Sequence, residues 1–155
     1  MTHLDEKSNP SMVDVAPKAV TFRTATARSV VFLPPEVLEK LTGDEISSKK
    51  GPVFQTAIVA GIMAAKKTGE LIPLCHPLGL ENCRIAIHFD EKKRAVIDCT
   101  ASLTAKTGVE MEALVGASIA ALTIYDMCKA LSHEIRVLET RLISKTGGKN
   151  DFRSE

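Results

Sequence analysis

An aspartate and a lysine stand three residues apart near the end of the longest helical pattern in the chain. Asp126 and Lys129 continue a stripe of apolar residues spaced four and three apart, namely Val115, Ile119 and Leu122. On a solvated helix face the two would form an ordinary ion pair, which stabilises a helix by only a few tenths of a kcal/mol. On a desolvated face, burial lowers the pKa of a lysine towards neutrality, and the pair becomes a candidate acid and base. Both interpretations are open, and the apolar stripe leads us to expect partial burial.

A second candidate is His76, which lies between Cys75 and Pro77 in the segment LIPLCHPL, residues 71–78. Two prolines in eight residues predict a rigid, irregular and partly buried loop that holds the imidazole at a fixed angle. A hydrogen-bonded structural histidine and a phosphate donor or proton carrier are both compatible with this position. We do not expect a metal here, because adjacent ligands lack the spacing of zinc sites.

Two glutamates, Glu110 and Glu112, fall in the first turn of the longest predicted helix. The unpaired N–H groups of that turn favour negative charge, so both carboxylates are explained by helix electrostatics alone. Residues two apart point to different sides of a helix, however, so one of the two is free to reach a neighbouring cleft.

Basic residues recur in loops and at strand positions near glycines. Such residues are usually solvated, but several that converge on one pocket would bind phosphate groups. The GGK at residues 147–149 lacks the earlier glycine and the following Ser or Thr of a P-loop, and no GxGxxG motif occurs. A triphosphate could still bind through loops. The candidate residues are Arg23, Lys49, Lys50, Lys106, Lys145 and Lys149.

Composition argues against several classes of function. The chain has 155 residues, 45% hydrophobic and 25% charged, which predicts one globular domain. Its 20 Lys and Arg against 19 Asp and Glu leave a net charge of +1, and 4% of residues are aromatic, so we expect no nucleic-acid binding. The four cysteines are widely spaced, which predicts reduced thiols. The sequence shows neither the pattern of a signal peptide nor an uncharged apolar run long enough to span a membrane, so we expect a cytoplasmic protein without a membrane partner.

Hydrophobic periodicity predicts a flexible polar tail over residues 1–17 and a single domain over residues 18–155. The long helix is apolar almost all the way round, which predicts burial on more than one side and apolar surface left over for another subunit. Apart from a short extra helix, the order β-α-β-β-α-β predicts an α+β, ferredoxin-like fold with two helices on one face of an antiparallel sheet. The predicted strands cover residues 19–32, 83–89, 95–103 and 135–144, the predicted helices cover residues 36–41, 53–67 and 109–131, and residues 44–52 are predicted as a polar loop.

Several segments of the chain carry a family resemblance. They are MVDV (12–15), LIPLCHPL (71–78), KTGVEMEAL (106–114), ALTIYDMCKA (121–130) and the K-x-GGK that ends at Lys149. In this order they resemble the cyclic pyranopterin monophosphate synthases, the MoaC family of molybdenum cofactor biosynthesis. The resemblance extends from about Met12 to the C-terminus.

The resemblance implies a lyase that converts 3′,8-cyclo-7,8-dihydroguanosine 5′-triphosphate into cyclic pyranopterin monophosphate and releases diphosphate. It also implies a ferredoxin-like subunit assembled as a homohexamer, a trimer of dimers, with active sites at subunit interfaces. A separate radical enzyme that cyclises GTP would supply the substrate. On this basis no cofactor is required, and Mg²⁺ could accompany the substrate triphosphate.

By the same resemblance, Asp126 and Lys129 are the catalytic acid–base pair, which agrees with the helix argument. Ala105 departs from the family, which often has glycine before the lysine of LTGKTG. If that position required a positive φ, alanine would strain the loop of Lys106. Further matching positions contact the substrate or line its pocket: Leu74, Cys75, His76, Met111, Glu112, Lys50, Glu110, Lys145 and Arg23.

Two other functions stay open from the residues alone. A non-catalytic ferredoxin-like module that oligomerises would bind a small ligand without turnover and would leave Asp126 and Lys129 exposed at its surface. An RNA-binding sheet of the same topology needs aromatic residues on its central strands, which offer little beyond Phe22 and Phe89.

Overall fold

The computed structural model describes residue 7 and residues 9–154 of the chain. In chain order, these residues form β1 (Thr21–Phe32), α1 (Pro35–Leu38), β2 (Leu41–Thr42), β3 (Glu45–Ser48), β4 (Gly51–Pro52), α2 (Val53–Ala65), α3 (Thr68–Leu71), β5 (Asn82–Phe89), β6 (Ala95–Ala105), α4 (Glu110–Cys128), β7 (Arg136–Thr146) and β8 (Phe152–Arg153).

The main sheet has the strand order β5-β6-β1-β7-β8, and every neighbouring pair is antiparallel. The segment that contains α2 connects β1 to β5, whereas α4 connects β6 to β7. Both long helices pack against the same face of the sheet. These two split β-α-β units confirm the prediction of an α+β, ferredoxin-like fold.

The two faces of the main sheet differ in polarity, because side chains alternate in direction along each strand. The face beneath the helices carries fully buried small residues such as Ala25 and Cys99. The opposite face is polar, and there the Arg28 guanidinium donates to the Asp98 carboxylate at 2.7 Å across paired strands. The core therefore lies between the sheet and the helical layer.

The two long helices cross at a pair of glycines, Gly61 in α2 and Gly116 in α4. A Cβ at Gly61 would lie 2.7 Å from the backbone oxygen of Gly116 and would overlap the side chain of Ile85. A Cβ at Gly116 would lie 2.6 Å from the sulfur of Cys99 in the sheet. Glycine at both positions therefore lets the helices touch each other and the sheet at one point. This crossing sets the position of α4 over the sheet.

The long helix α4 meets the length and composition of a membrane-spanning segment. In this structure it is a core helix, because nine of its nineteen residues are buried against the sheet and α2. Burial on more than one side was predicted and is confirmed. One apolar stripe of α4 remains uncovered, however, and Leu122 on that stripe is 54% exposed.

Between β1 and α2, the predicted short helix over residues 36–41 is present as α1, but it ends at Leu38, because Leu41 pairs with Ile46 in a hairpin whose turn contains Gly43 at a φ of +60°. One local prediction is wrong, since the predicted polar loop over residues 44–52 contains β3 and β4. The other predicted strands and helices are present, with ends shifted by at most three residues. The short elements α3 and β8 were not expected.

The strands β2, β3 and β4 form a small second sheet in that order, and Glu45 of this small sheet helps to build the main helical layer. Its carboxylate accepts hydrogen bonds from the backbone N–H groups of Phe54 at 2.8 Å and Gln55 at 3.1 Å, in the first turn of α2. The residue before α2 is Pro52, which offers no side-chain cap. Glu45 therefore supplies from a distance an anionic cap for the unpaired N–H groups at the start of α2.

We predict that replacing Gly61 with alanine destabilises the fold by up to about 2 kcal/mol. The new methyl group overpacks the helix crossing at a cost of about 1–3 kcal/mol, and alanine recovers about 1 kcal/mol of this as a better helix former. Urea unfolding monitored by circular dichroism measures it. Gly79→Ala is the control, since a Cβ there has no atom within 4 Å. Equal stability of the two variants would show that the crossing is not tightly packed.

Candidate active site

Two adjoining cavities open at the end of the sheet where α4 begins. The first has a volume of about 410 Å³ and the second about 520 Å³. We call them the histidine cavity and the basic cavity, and together the groove. They form one continuous depression because they share four lining residues, Lys18, Thr107, Gly108 and Glu110.

The histidine cavity contains the imidazole of His76. Its Nε2 lies 2.8 Å from the carbonyl oxygen of Val13. A carbonyl oxygen only accepts hydrogen bonds, so Nε2 carries a proton, and Nδ1 of the neutral ring is left as an acceptor. The loop of residues 71–78 and the first turn of α4 bring most of the predicted substrate contacts to this cavity, namely Leu74, Cys75, His76, Glu110, Met111 and Glu112.

Glu112 is the buried carboxyl group of the groove, and only 3% of the residue is exposed. Burial raises its pKa, and the charge of neighbouring Glu110 adds to the rise. Burial also raises the pKa of the Cys75 thiol, with Glu112 as a second cause. A carboxyl group with a raised pKa holds its proton to higher pH than an exposed glutamate does, which makes Glu112 a candidate for proton transfer.

Residues 12–18, which we call the N-terminal strap, form one wall of the groove. Val13 and Val15 line the histidine cavity, and Lys18 lines both cavities. The strap accepts hydrogen bonds from His76 and from the Lys106 ammonium, which reaches the Ala16 carbonyl oxygen at 2.7 Å.

The strap is the part of the groove that the sequence analysis missed as a site element. Most of it falls within the predicted flexible tail, and its flexibility stays a prediction. The available signal was the MVDV motif at residues 12–15. Residues 1–6 and 8 of the predicted tail lie outside the described residues.

The basic cavity gathers cationic side chains at one end of the main sheet. Gly147, at a φ of +80°, passes too close to the Phe22 carbonyl group to accept a Cβ, and this close approach brings the chain back to the cavity rim. Among the described residues that line the basic cavity, Glu110 is the single carboxylate, and it accepts a hydrogen bond from the Lys145 ammonium at 2.9 Å. Such an array suits phosphate groups. The cations that line it are Lys18, Arg23, Lys106, Lys145 and Lys149.

Asp126 lies at the opposite end of α4, between two lysines. The Lys129 ammonium is 2.7 Å from one carboxylate oxygen, and the Lys50 ammonium is 2.8 Å from the other. Lys50 comes from the turn between β3 and β4, and it also donates to the Asp126 backbone oxygen at 3.1 Å. Lys129 first, and then Lys50, lower the pKa of the Asp126 carboxyl to about 2, and Asp126 in turn raises the pKa of Lys129.

The expectation that Asp126 and Lys129 are partly buried is wrong for the isolated subunit. The side chains of Asp126 and Lys129 are 54% and 48% exposed, because their stripe of α4 faces away from the sheet and α2. Ion pairing instead of burial therefore decides both pKa values. Lys129 keeps its proton at neutral pH, contrary to the expected shift towards neutrality.

The predicted site residues form two clusters at opposite ends of one helix. Glu110 and Asp126 are sixteen residues apart in α4, or roughly 24 Å along its axis at about 1.5 Å per residue. Lys50 belongs to the cluster of Asp126 and Lys129. Within one chain it does not line the basic cavity that contains Arg23 and Lys145. One subunit therefore does not close both clusters around one small molecule.

Ala105 ends β6 without strain. Among residues 7 and 9–154, Lys93 is the sole non-glycine residue with a positive φ, so the alanine at 105 causes no conformational penalty. All four cysteines are free, as predicted. Within the same residues, no group of three or more His, Cys, Asp or Glu side chains is arranged to hold a metal ion.

Comparison with known proteins matches nearly the whole chain to one family. The model of the MoaC family matches residues 12–148. A cyclic pyranopterin monophosphate synthase of Xanthomonas axonopodis pv. citri is 53% identical over 152 residues, which cover 98% of this chain and 92% of the relative. One from Brevibacillus brevis is 49% identical over 153 residues, with 98% and 94% covered. A molybdenum cofactor biosynthesis bifunctional protein of Synechocystis is 53% identical over 154 residues, which cover 97% of this chain and 44% of the relative.

We predict that Lys129→Met raises the pKa of Asp126 from about 2 towards the ordinary aspartate value, because the carboxylate loses its stronger ammonium partner. The pKa should stay somewhat below that value, since Lys50 remains. Carbon-13 NMR titration of the Asp126 carboxyl group measures the shift. Lys92→Met, which removes an exposed lysine at the β5–β6 turn, is the matched control. An Asp126 pKa that is the same in both variants would exclude the ion pair.

Proposed function

The chain belongs to the MoaC family, and from this premise we propose that it is a cyclic pyranopterin monophosphate synthase. Its substrate would be 3′,8-cyclo-7,8-dihydroguanosine 5′-triphosphate, and its products cyclic pyranopterin monophosphate and diphosphate. The reaction would serve an early step of molybdenum cofactor biosynthesis. The observation that carries the proposal is the groove, which sets a cavity rich in cations beside a cavity with acid–base groups.

The two cavities match the two parts of the proposed substrate. The basic cavity, with Arg23 and Lys145, would hold the triphosphate and neutralise the charge that develops on the departing diphosphate. The histidine cavity would receive the purine-derived rings, which His76 and Glu112 can meet with hydrogen bonds. Lys18 and Glu110 lie where the two cavities join, and they would flank the part of the substrate that links its rings to its triphosphate.

Two subunits would complete one active site. The groove and the Asp126 cluster are separated by the length of α4, so a second subunit would bring its Asp126, Lys129 and Lys50 to the groove of the first. Leu122 supports this arrangement, because its exposed apolar stripe leads directly to Asp126 and would be covered in such a contact. We propose a homohexamer built as a trimer of dimers, with the active sites at subunit interfaces.

In this assembly, Asp126 and Lys129 would move protons while the purine-derived ring opens and is rebuilt as a pyranopterin. Asp126 is ionised and can accept a proton, whereas protonated Lys129 can donate one. A ribose-derived hydroxyl would then attack the α-phosphorus. The new P–O bond closes the cyclic phosphate, and the bond to the β-phosphate breaks as diphosphate leaves.

The remaining expectations concern the surroundings of the reaction. We propose that a separate radical enzyme that cyclises GTP supplies the substrate, and that both enzymes work in the cytoplasm. We also propose that no protein-bound cofactor takes part, and that Mg²⁺ enters only as a counterion of the triphosphate. Neither a nucleic acid nor a membrane is proposed as a partner.

We predict that the purified protein releases diphosphate from the cyclic dihydroguanosine triphosphate and forms the pterin product, followed by mass spectrometry. Lys129→Met should lower turnover to below a few percent of the original, because it removes the proposed proton donor without adding a charge. Lys92→Met should keep full turnover, since Lys92 is exposed and lines neither cavity.

Two results would contradict the proposal in different ways. Full turnover by the Lys129→Met variant would remove this lysine from the mechanism. Tight binding of the substrate without release of diphosphate or formation of pterin would instead favour a ligand-binding module, which also allows an exposed Asp126 and Lys129.

A further inference from the structure

Glu110 occupies an unexpected place for a carboxylate in a phosphate-binding cavity. We propose, on the basis of the function proposed above, that the Glu110 carboxylate competes with phosphate groups for the Lys145 ammonium. It holds Lys145 when the cavity is empty, yields Lys145 to the substrate, and regains it as diphosphate leaves. Glu110 would thereby set the affinity of the cavity for diphosphate and promote product release.

The position of Glu110 supports this role. It lies at N1 of α4, lines both cavities, and its carboxylate is 2.9 Å from the Lys145 ammonium. The two side chains are 29% and 37% exposed, so the pair is partly shielded from water and from salt. A phosphate group that binds Lys145 must therefore replace this carboxylate or share the ammonium with it.

Two of the other cations, Arg23 and Lys106, have partners of a different kind from that of Lys145. Arg23 donates through Nε to the Ala105 carbonyl oxygen at 3.4 Å, and Lys106 donates to the Ala16 carbonyl oxygen. Carbonyl oxygens are neutral, so these two residues keep their full positive charge towards a ligand. Lys145 alone among these three is neutralised by a carboxylate, and so the Glu110 charge selectively weakens one anion contact.

The helix itself favours a negative charge on Glu110. Its carboxylate stands in the first turn of α4, where the unpaired N–H groups stabilise an anion. A bound diphosphate would bring further negative charge within a few ångströms of that carboxylate, and like charges at this range repel strongly in a partly shielded site. The repulsion would not alter the fold, but it would shorten the residence of diphosphate.

Inorganic diphosphate binding, measured by isothermal titration calorimetry at fixed ionic strength, tests this inference. Glu110→Gln should bind diphosphate roughly tenfold more tightly than the original chain, because it removes one partly shielded negative charge beside the ligand. Glu110→Ala should also bind diphosphate more tightly than the original chain, and it provides the test if the glutamine variant does not fold. Glu110→Asp should keep the weaker binding, since it keeps the charge. Glu91→Gln, at the exposed β5–β6 turn, is the matched control and should bind like the original.

Unchanged or weaker diphosphate binding in both Glu110→Gln and Glu110→Ala would overturn the inference, because Glu110 would then only position Lys145. The measurement needs no turnover, so its outcome is separate from that of the synthase assay. If the original chain bound diphosphate but formed no pterin, the proposed function would fail while the competition by Glu110 would still be measured.

Discussion

The contact between Gly61 and Gly116 is the constraint on which the rest of the structure depends. It holds α2 and α4 in one layer and seats α4 across the sheet, directly over Cys99. Because α4 is a continuous helix held in the core, Glu110 and Asp126 near its two ends are separated by roughly 24 Å at about 1.5 Å per residue. The groove at the start of α4 and the Asp126 cluster at its end are therefore held apart within one subunit, and this separation supports the proposal that a second subunit completes the site.

The electrostatics at the two ends of α4 are opposite in kind. At its start, Glu112 is buried and its pKa is raised, so this carboxyl group retains a proton more readily than usual. At its end, Asp126 stands in water between two ammonium groups and its pKa falls to about 2. Two carboxyl groups whose environments shift their pKa values in opposite directions are typical of sites that need both an acid and a base. A shared site would place these two carboxyl groups on either side of one substrate.

Most of the fold could be predicted from the sequence, because apolar alternation in β5 and the long apolar pattern of α4 are strong local signals. The small sheet was not predicted, because its strands are only two to four residues long and depend on tertiary contacts of Ile46 and Glu45. Asp126, Lys129 and many of the groove residues were singled out by spacing and by motif resemblance, and their roles stay predictions. The sequence left open whether Asp126 is exposed, since an apolar stripe favours burial without showing whether the same chain or another subunit covers it. The N-terminal strap was not predicted to form a wall of the groove, because its polar composition resembles that of a flexible tail. Only the folded structure shows the hydrogen bond from His76 to the Val13 carbonyl oxygen.

A complementation assay tests most directly the claim that one active site draws on two subunits. Asp126→Asn and His76→Ala chains would be co-expressed in equal amounts, purified together as mixed oligomers, and assayed for pterin formation. Each variant alone should be inactive, whereas about a quarter of the sites in the mixture should combine an intact Asp126 with an intact groove and restore activity to that level. Mixed oligomers that stay as inactive as either variant alone would show that both clusters act within one chain, and would contradict this account.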